Sequence, residues 1–252
     1  MADFLSELAN VEATPRAKRP FCKRCSRPLT VCWCPYLPHE PIDVTTTVWI
    51  LQHPLEESRV LRTAPILYHS LKPGQCKIFR GKRFTKERHS EVWRTLHDPE
   101  TLLLYPGPDA SDLNSVPSPT LSSPHNLVIL DGTWSQAKGL YHQNPSLWNL
   151  KKVQIRQSGC SKYVIRSQPT DACLSTLETA AIALSVLEDK PCIQEVLTRP
   201  LVALCEFQLQ HGAVPHQSKA FQIQAGTYTK ALSKSVRKRM AKQQQQQQRK
   251  EL

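Results

Sequence analysis

No stretch of this 252-residue chain reaches the roughly 18 consecutive apolar residues a membrane-spanning helix needs. The start, Met1-Ala2-Asp3-Phe4-Leu5-Ser6-Glu7, lacks the basic region followed by an apolar one that marks a secretory signal. These absences predict an intracellular protein without a membrane partner, and therefore nine cysteines that are mostly reduced. Acidic residues are also short: 21 Asp and Glu stand against 33 Lys and Arg, a net charge of +12. That balance favours a polyanionic partner, nucleic acid before acidic membrane. Part of the excess sits in the tail, since eight basic residues and one acidic lie from Lys230 onward, but a positive remainder stays on the rest of the chain. The chain is long enough for one good core plus a small satellite, and its 40% hydrophobic and 7% aromatic content is that of a globular protein.

The most informative run is Val128-Ile129-Leu130-Asp131-Gly132-Thr133-Trp134-Ser135-Gln136-Ala137. An apolar, β-branched stretch breaks at Asp-Gly and resumes as a helix-compatible pattern through about Tyr141, which reads as strand, tight turn, helix. In an α/β protein ligands bind at the carboxyl ends of parallel strands, so Asp131 stands where a reactive carboxylate is useful. Gly132 permits a sharp turn or a close approach, and Trp134 offers a flat apolar face. The competing reading is that Asp131 caps the next helix and Trp134 belongs to the core.

Four cysteines, Cys22, Cys25, Cys32 and Cys34, form a CxxC followed by a CxC within residues 21–40. So compact a set of thiolates can close a tetrahedral zinc site with no open position, which makes the metal structural rather than catalytic. Two redox pairs or four unrelated thiols are the alternatives. Lys23, Arg24 and Arg27 flank the cluster and are candidate phosphate contacts.

Strands are predicted over 45–51, 75–79, 101–105, 127–130 and 151–156, alternating with helical patterns over 55–71, 134–141, 174–187 and 193–211. The alternation implies an α/β fold with a mostly parallel sheet flanked by helices. Pro65 is expected to kink or divide the first helix and Pro200 to interrupt the last. Ser175 and Glu178 have capping-box spacing, which accounts for the pair without a ligand. His53 follows a strand end and suits either acid–base chemistry or a structural hydrogen bond. The basic run Arg80, Lys82, Arg83, Lys86, Arg88 is either a solvated face or a phosphate-binding one. Residues 107–125, rich in Pro and Ser, read as a long surface loop. Residues 1–20 are expected to be flexible. Residues 215–252, with a glutamine run between basic clusters, are expected to be a disordered tail that serves as a nuclear address or a nucleic-acid tether.

Taken in order, the four cysteines, Gln52-His53-Pro54 with Glu56 and Arg59, Leu104-Tyr105-Pro106, Asp131 to Ala137, and Ser161, Tyr163, Arg166, Pro169 and Ser175 to Glu178 resemble the DTW-domain family of tRNA-uridine aminocarboxypropyltransferases over residues 21–210. The resemblance implies a SPOUT-like fold with a trefoil knot, a catalytic domain over 41–214, and tRNA as partner. It implies S-adenosylmethionine as a co-substrate whose 3-amino-3-carboxypropyl group passes to N3 of a uridine in the D-loop, giving acp3U in the nucleus and cytoplasm. On that reading Asp131 is the candidate base. Donor contacts fall to Leu104, Tyr105, Pro106, Gly132, Thr133, Trp134, Gln136, Ser175, Thr176 and Arg166, the last alternatively a tRNA-phosphate contact. The tRNA falls to His53, Arg59, Arg80, Lys82, Arg83, Lys151 and Lys152, and structural zinc to the four cysteines. No obligate protein partner is expected. A methyltransferase with the same cofactor and fold, a non-catalytic zinc-knuckle RNA-binding protein, and a related rRNA aminocarboxypropyltransferase are the rival readings.

Overall fold

The computed structural model describes residues 19–156, 161–170, 173–229 and 231. Most of residues 1–20, and the basic glutamine-rich segment beyond 231, therefore lie outside the described residues.

Alternating apolar residues build the centre. Strands β1 (Thr47–Gln52), β2 (Cys76–Arg80), β3 (Thr101–Leu104), β4 (Ser111–Asp112), β5 (Asn126–Asp131) and β6 (Lys151–Gln154) form one sheet in the order β2-β1-β5-β3-β6-β4. Every pairing is parallel. A parallel sheet is buried on both faces, and its strands here read as nearly continuous apolar runs for that reason. Val48, Ile50, Leu102, Leu104, Leu127 and Ile129 point to one face, with α1 (Ala64–Ser70), α4 (Thr176–Leu187) and α5 (Cys192–Gln210). Trp49, Leu51, Leu103 and Val128 point to the other, beside α2 (Ser90–Thr95) and α3 (Trp134–Gln143). No helix of the described residues is long and apolar enough to cross a membrane.

Several expectations change at prolines and loops. The helix expected over 55–71 is a short 3-10 turn, Pro54–Glu56, then irregular chain, then α1. Pro65 falls in the first turn of α1, where its missing N–H costs nothing, and so it starts the helix rather than kinking it. Pro200 does not interrupt α5. The stripe Ile193, Leu197, Leu201, Leu204 is buried against the core, and that packing offsets the roughly 3 kcal/mol an internal proline costs. The loop after β3 contains β4, and a further helix, α6 (Lys219–Gln224), follows α5.

The cysteine segment is built into the molecule. Trp33 and Leu37 belong to the main core, Tyr36 meets Phe207 of α5 edge to face, and Arg24 donates to the His69 carbonyl at 2.9 Å. Arg27 is buried, donating from Nε to Val31 O (3.0 Å) and from Nη1 to Val60 O (3.4 Å). Arg27 is therefore engaged within the fold rather than presented to phosphate, whereas Arg24 stays exposed.

Candidate functional site

Strand alternation sets the centre of the site. Gln52 ends β1 and Asp131 ends β5; they are register partners on the same face of the sheet, the face that α4 covers. Asp131 is buried, and both its carboxylate oxygens are held. Gln52 Nε2 donates to Oδ2 at 2.7 Å, and Thr176 Oγ1, in the first residue of α4, donates to Oδ1 at 2.5 Å. Each oxygen keeps a second lone pair free to accept. The carboxylate is thus oriented by two donors and is not a helix cap; the cap of α3 is Thr133.

The Asp131–Thr133 turn is tight because Gly132 has no side chain. A Cβ there would stand 2.9 Å from Gln136 Cβ and 3.5 Å from His53 Cβ. Thr133 and Gln136 close a reciprocal capping box, with Thr133 N–H donating to Gln136 Oε1 at 2.6 Å and Gln136 N–H to Thr133 Oγ1 at 3.3 Å. Ser175 and Glu178 do the same for α4. Glu178 reaches further, accepting from Ser161 Oγ (2.8 Å) and Lys162 N–H (2.6 Å), so one buried carboxylate fixes the segment after β6.

These turns surround a cavity of about 570 Å³ at the carboxyl end of the sheet. Its walls are Leu104, Tyr105 and Pro106; Ile129 to Ser135; Val153 to Ile155; Tyr163; Arg166 to Pro169; and Leu174 to Thr176. Every expected donor contact lines it except Gln136, whose amide oxygen accepts from Thr133 N–H. Trp134 is half exposed at its edge rather than part of the core. Tyr105 stacks on Tyr141 with centroids 4.7 Å apart, and burial pushes its phenol above the ordinary range. The structure adds Glu56, Arg62, Thr63, Thr179 and Lys219 to the walls. Lys219 arrives because α6 docks on the 168–169 backbone, with Lys219 N–H donating to Gln168 O at 2.8 Å. Nothing in the sequence pattern signalled that contact. Glu56 stands one turn beyond a strand end beside His53 and Arg59, which is the signal that could have found it.

The expected polyanion contacts divide. His53, Arg59, Arg80, Lys82 and Arg83 lie at the same end of the sheet as Asp131, all exposed except the half-buried His53. Arg80 is paired with Glu57 and also donates from Nε to Gln52 Oε1 at 3.3 Å, which ties it to the Asp131 network. His53 Nδ1 accepts from Leu55 N–H at 3.3 Å, the structural role that was its alternative. Lys151 opens β6 at the opposite end of the sheet. Lys152 is held by Asp109 at 2.5 Å and lies over the Tyr141 ring.

The four cysteines converge. All their sulfurs lie within 4.8 Å of one another, with Cys22–Cys34 at 3.7 Å and Cys25–Cys32 at 3.6 Å. A tetrahedral zinc with bonds of about 2.3 Å needs sulfurs about 3.8 Å apart, so the donor set fits the ion. The Cys25 and Arg24 backbone amides hold the Cys22 thiol down to about 6, while burial pushes the Cys32 thiol up.

The family model for the DTW domain matches residues 19–209. A protein of Drosophila melanogaster named tRNA-uridine aminocarboxypropyltransferase 2 is 47% identical over 235 residues, covering 93% of this chain and 93% of its own. A protein of Mus musculus with the same name is 51% identical over 222 residues, 88% of this chain and 74% of its own. A protein of Arabidopsis thaliana named tRNA-uridine aminocarboxypropyltransferase A is 27% identical over 229 residues, 77% of this chain and 83% of its own. No solved structure matches the chain.

Proposed function

The chain belongs to the DTW-domain family, and from that premise we propose that it is a tRNA-uridine aminocarboxypropyltransferase, moving the 3-amino-3-carboxypropyl group of S-adenosylmethionine to N3 of a D-loop uridine. The observation that carries the mechanism is the carboxylate of Asp131, buried beside the cavity and aimed by Gln52 and Thr176. Uracil N3–H is a weak acid, and its proton must leave before or during attack. Asp131 accepts that proton on a free lone pair. The N3 electron pair forms a bond to Cγ of the donor, and the Cγ–sulfur bond breaks with its pair going to sulfur. The positive sulfonium becomes the neutral thioether of 5′-methylthioadenosine, which leaves. Positioning decides which carbon reacts: the pocket presents the Cγ methylene rather than the methyl in line with N3.

The half-exposed Trp134 supplies a face for a base, and Arg166 supplies a guanidinium for the donor's carboxylate. The exposed Arg59, Arg80, Lys82 and Arg83 give the tRNA a basic rim beside the cavity, and a uridine unstacked from its loop reaches Asp131 from that rim. Lys151 and Lys152 contribute little to it, one being at the far end of the sheet and the other held by Asp109. The four cysteines would hold a structural zinc, which stabilises the fold and takes no part in transfer. A trefoil knot is supported by the path of the chain. The segment joining β3 to β4 crosses the end of β6, with Ser111 paired to Val153. The chain leaving β6 must still return to the front of β5, where Thr176 meets Asp131.

Asp131→Asn tests the assignment. With S-adenosylmethionine and unmodified tRNA, nucleoside mass spectrometry should show acp3U with the wild type and a loss of about 10²–10⁴-fold in the variant, while donor affinity stays within a few fold. A methylated uridine from the wild type would keep the cofactor and overturn the reaction. Full transfer by the variant would remove Asp131 from the base role.

A further inference from the structure

Among the described residues, three buried side-chain atoms have no hydrogen-bond partner: Thr46 Oγ1, His125 Nδ1 and Glu56 Oε1. Only Glu56 lines the cavity. It follows β1 at the end of the 3-10 turn that starts at Pro54 and is 3% exposed. Its nearest cation is Arg59, whose Nε stands 4.0 Å from Oε1 and whose side chain is more than half exposed. That separation is beyond a hydrogen bond. A carboxylate taken out of water without a donor is expensive, and one that lines a cavity is placed where a ligand can complete it.

We propose that Glu56 is the subsite for the α-ammonium of the donor, a specificity residue that selects a co-substrate bearing an amino acid head; this rests on the function proposed above. The donor carries two cationic groups, a sulfonium and an ammonium. A sulfonium has no N–H to offer, whereas an ammonium has three. What Glu56 lacks is a hydrogen-bond donor, so the ammonium is the group that fits. Asp131 is excluded from this task because Gln52 and Thr176 already supply a donor to each of its oxygens, and its free lone pairs are kept for the nucleobase. Arg166, on the same cavity, is left to hold the donor's carboxylate. Glu56 and Arg166 then grip the two charged substituents of one carbon, which fixes the direction in which the propyl chain runs and hence where Cγ lies.

The test is titration calorimetry with two probes on the full chain: S-adenosylmethionine, and its desamino counterpart, which has hydrogen in place of the ammonium. The wild type should prefer the first by about 10- to 100-fold, the worth of one charge-assisted hydrogen bond. Glu56→Gln should bind both alike, through lost affinity for S-adenosylmethionine alone. Without ligand its thermal midpoint should equal or exceed that of the wild type, because the buried charge removed has no hydrogen bond and only a long ion pair to the exposed Arg59. Glu56→Asp should recover part of the preference. The proposal falls if Glu56→Gln keeps the preference, if both probes weaken together (the sign of a sulfonium contact), or if the unliganded midpoint drops. A wild type that forms acp3U without preferring the amino-bearing probe overturns this subsite and leaves the function standing. A wild type that prefers the amino-bearing probe but releases S-adenosylhomocysteine overturns the reaction and leaves the subsite.

Discussion

One methyl group at Gly132 would disturb three things at once. The backbone there does not need a positive φ, so the constraint is one of space. Gln136 Cβ, 2.9 Å from where the new atom would sit, is fixed to the first turn of α3 and cannot swing away as a side-chain tip could. Gly132→Ala should therefore open the Thr133–Gln136 capping box and shift the turn carrying Asp131. We expect a loss of about 1–3 kcal/mol in urea unfolding, with weaker donor binding alongside. Unchanged values would show that the turn yields. At this scale the sequence was legible where one residue bears the argument. Asp131 at a strand end and Gly132 in the turn could both be read from a strand–turn–helix pattern. Gln136 could not be placed, because a glutamine at a helix start serves a cap or a ligand equally well and only its orientation separates them. Glu56 was visible as part of a motif, but its role depends on burial without a partner, which a single sequence does not record.

The opening turn of α4 joins parts of the chain that are distant in sequence. Glu178 accepts from Ser175 N–H within its own helix, and from Ser161 and Lys162 across the cavity wall. Glu178→Ala would strand at least two backbone N–H groups in a buried place. Each such orphan costs about 1–3 kcal/mol, so the variant should lose about 2–5 kcal/mol by thermal unfolding. Hydrogen exchange at Lys162 and Ser175 should quicken more than in the strands, and protection left intact at Lys162 would show that another acceptor replaces Glu178. The capping box itself was readable from the Ser–x–x–Glu spacing. The reach to Ser161 was not, since it depends on where the chain goes after β6. The prolines teach a related lesson: Pro65 and Pro200 obey the same local rule, yet one begins a helix and the other sits inside one because the apolar stripe of α5 is buried.

For the molecule as a whole, alternating strand and helix patterns were enough to expect a parallel sheet, and the cysteine spacing was enough to expect a metal site. The packing of the segment around that site against the common core was not readable, because Trp33 and Arg27 look like ordinary members of a small appended module. Their placement makes a strong prediction. Elemental analysis should find one zinc per chain, and its removal by a chelator should lower the thermal midpoint of the entire protein in a single transition. Donor affinity should fall with it, because Arg27 holds the Val60 carbonyl in the segment that carries Glu56. A chelated protein with an unchanged midpoint would show that the four thiols fold without metal.

The carbonyls of Val60 and Leu61 are neighbours, yet they are held from opposite directions: Arg27 takes the first, and the Tyr163 hydroxyl, 102 residues downstream of Leu61, takes the second. Burial pushes the Tyr163 phenol up to about 12, so it remains a donor throughout the physiological range. A ribosome making this chain releases Glu56 early and Tyr163 late. During synthesis the knuckle and β1 emerge with one of the two anchors in hand, and the wall around Glu56 is pinned only after β6 has passed. The donor pocket therefore takes shape late, and a product released before Tyr163 would have all six strands but no place to keep the cofactor.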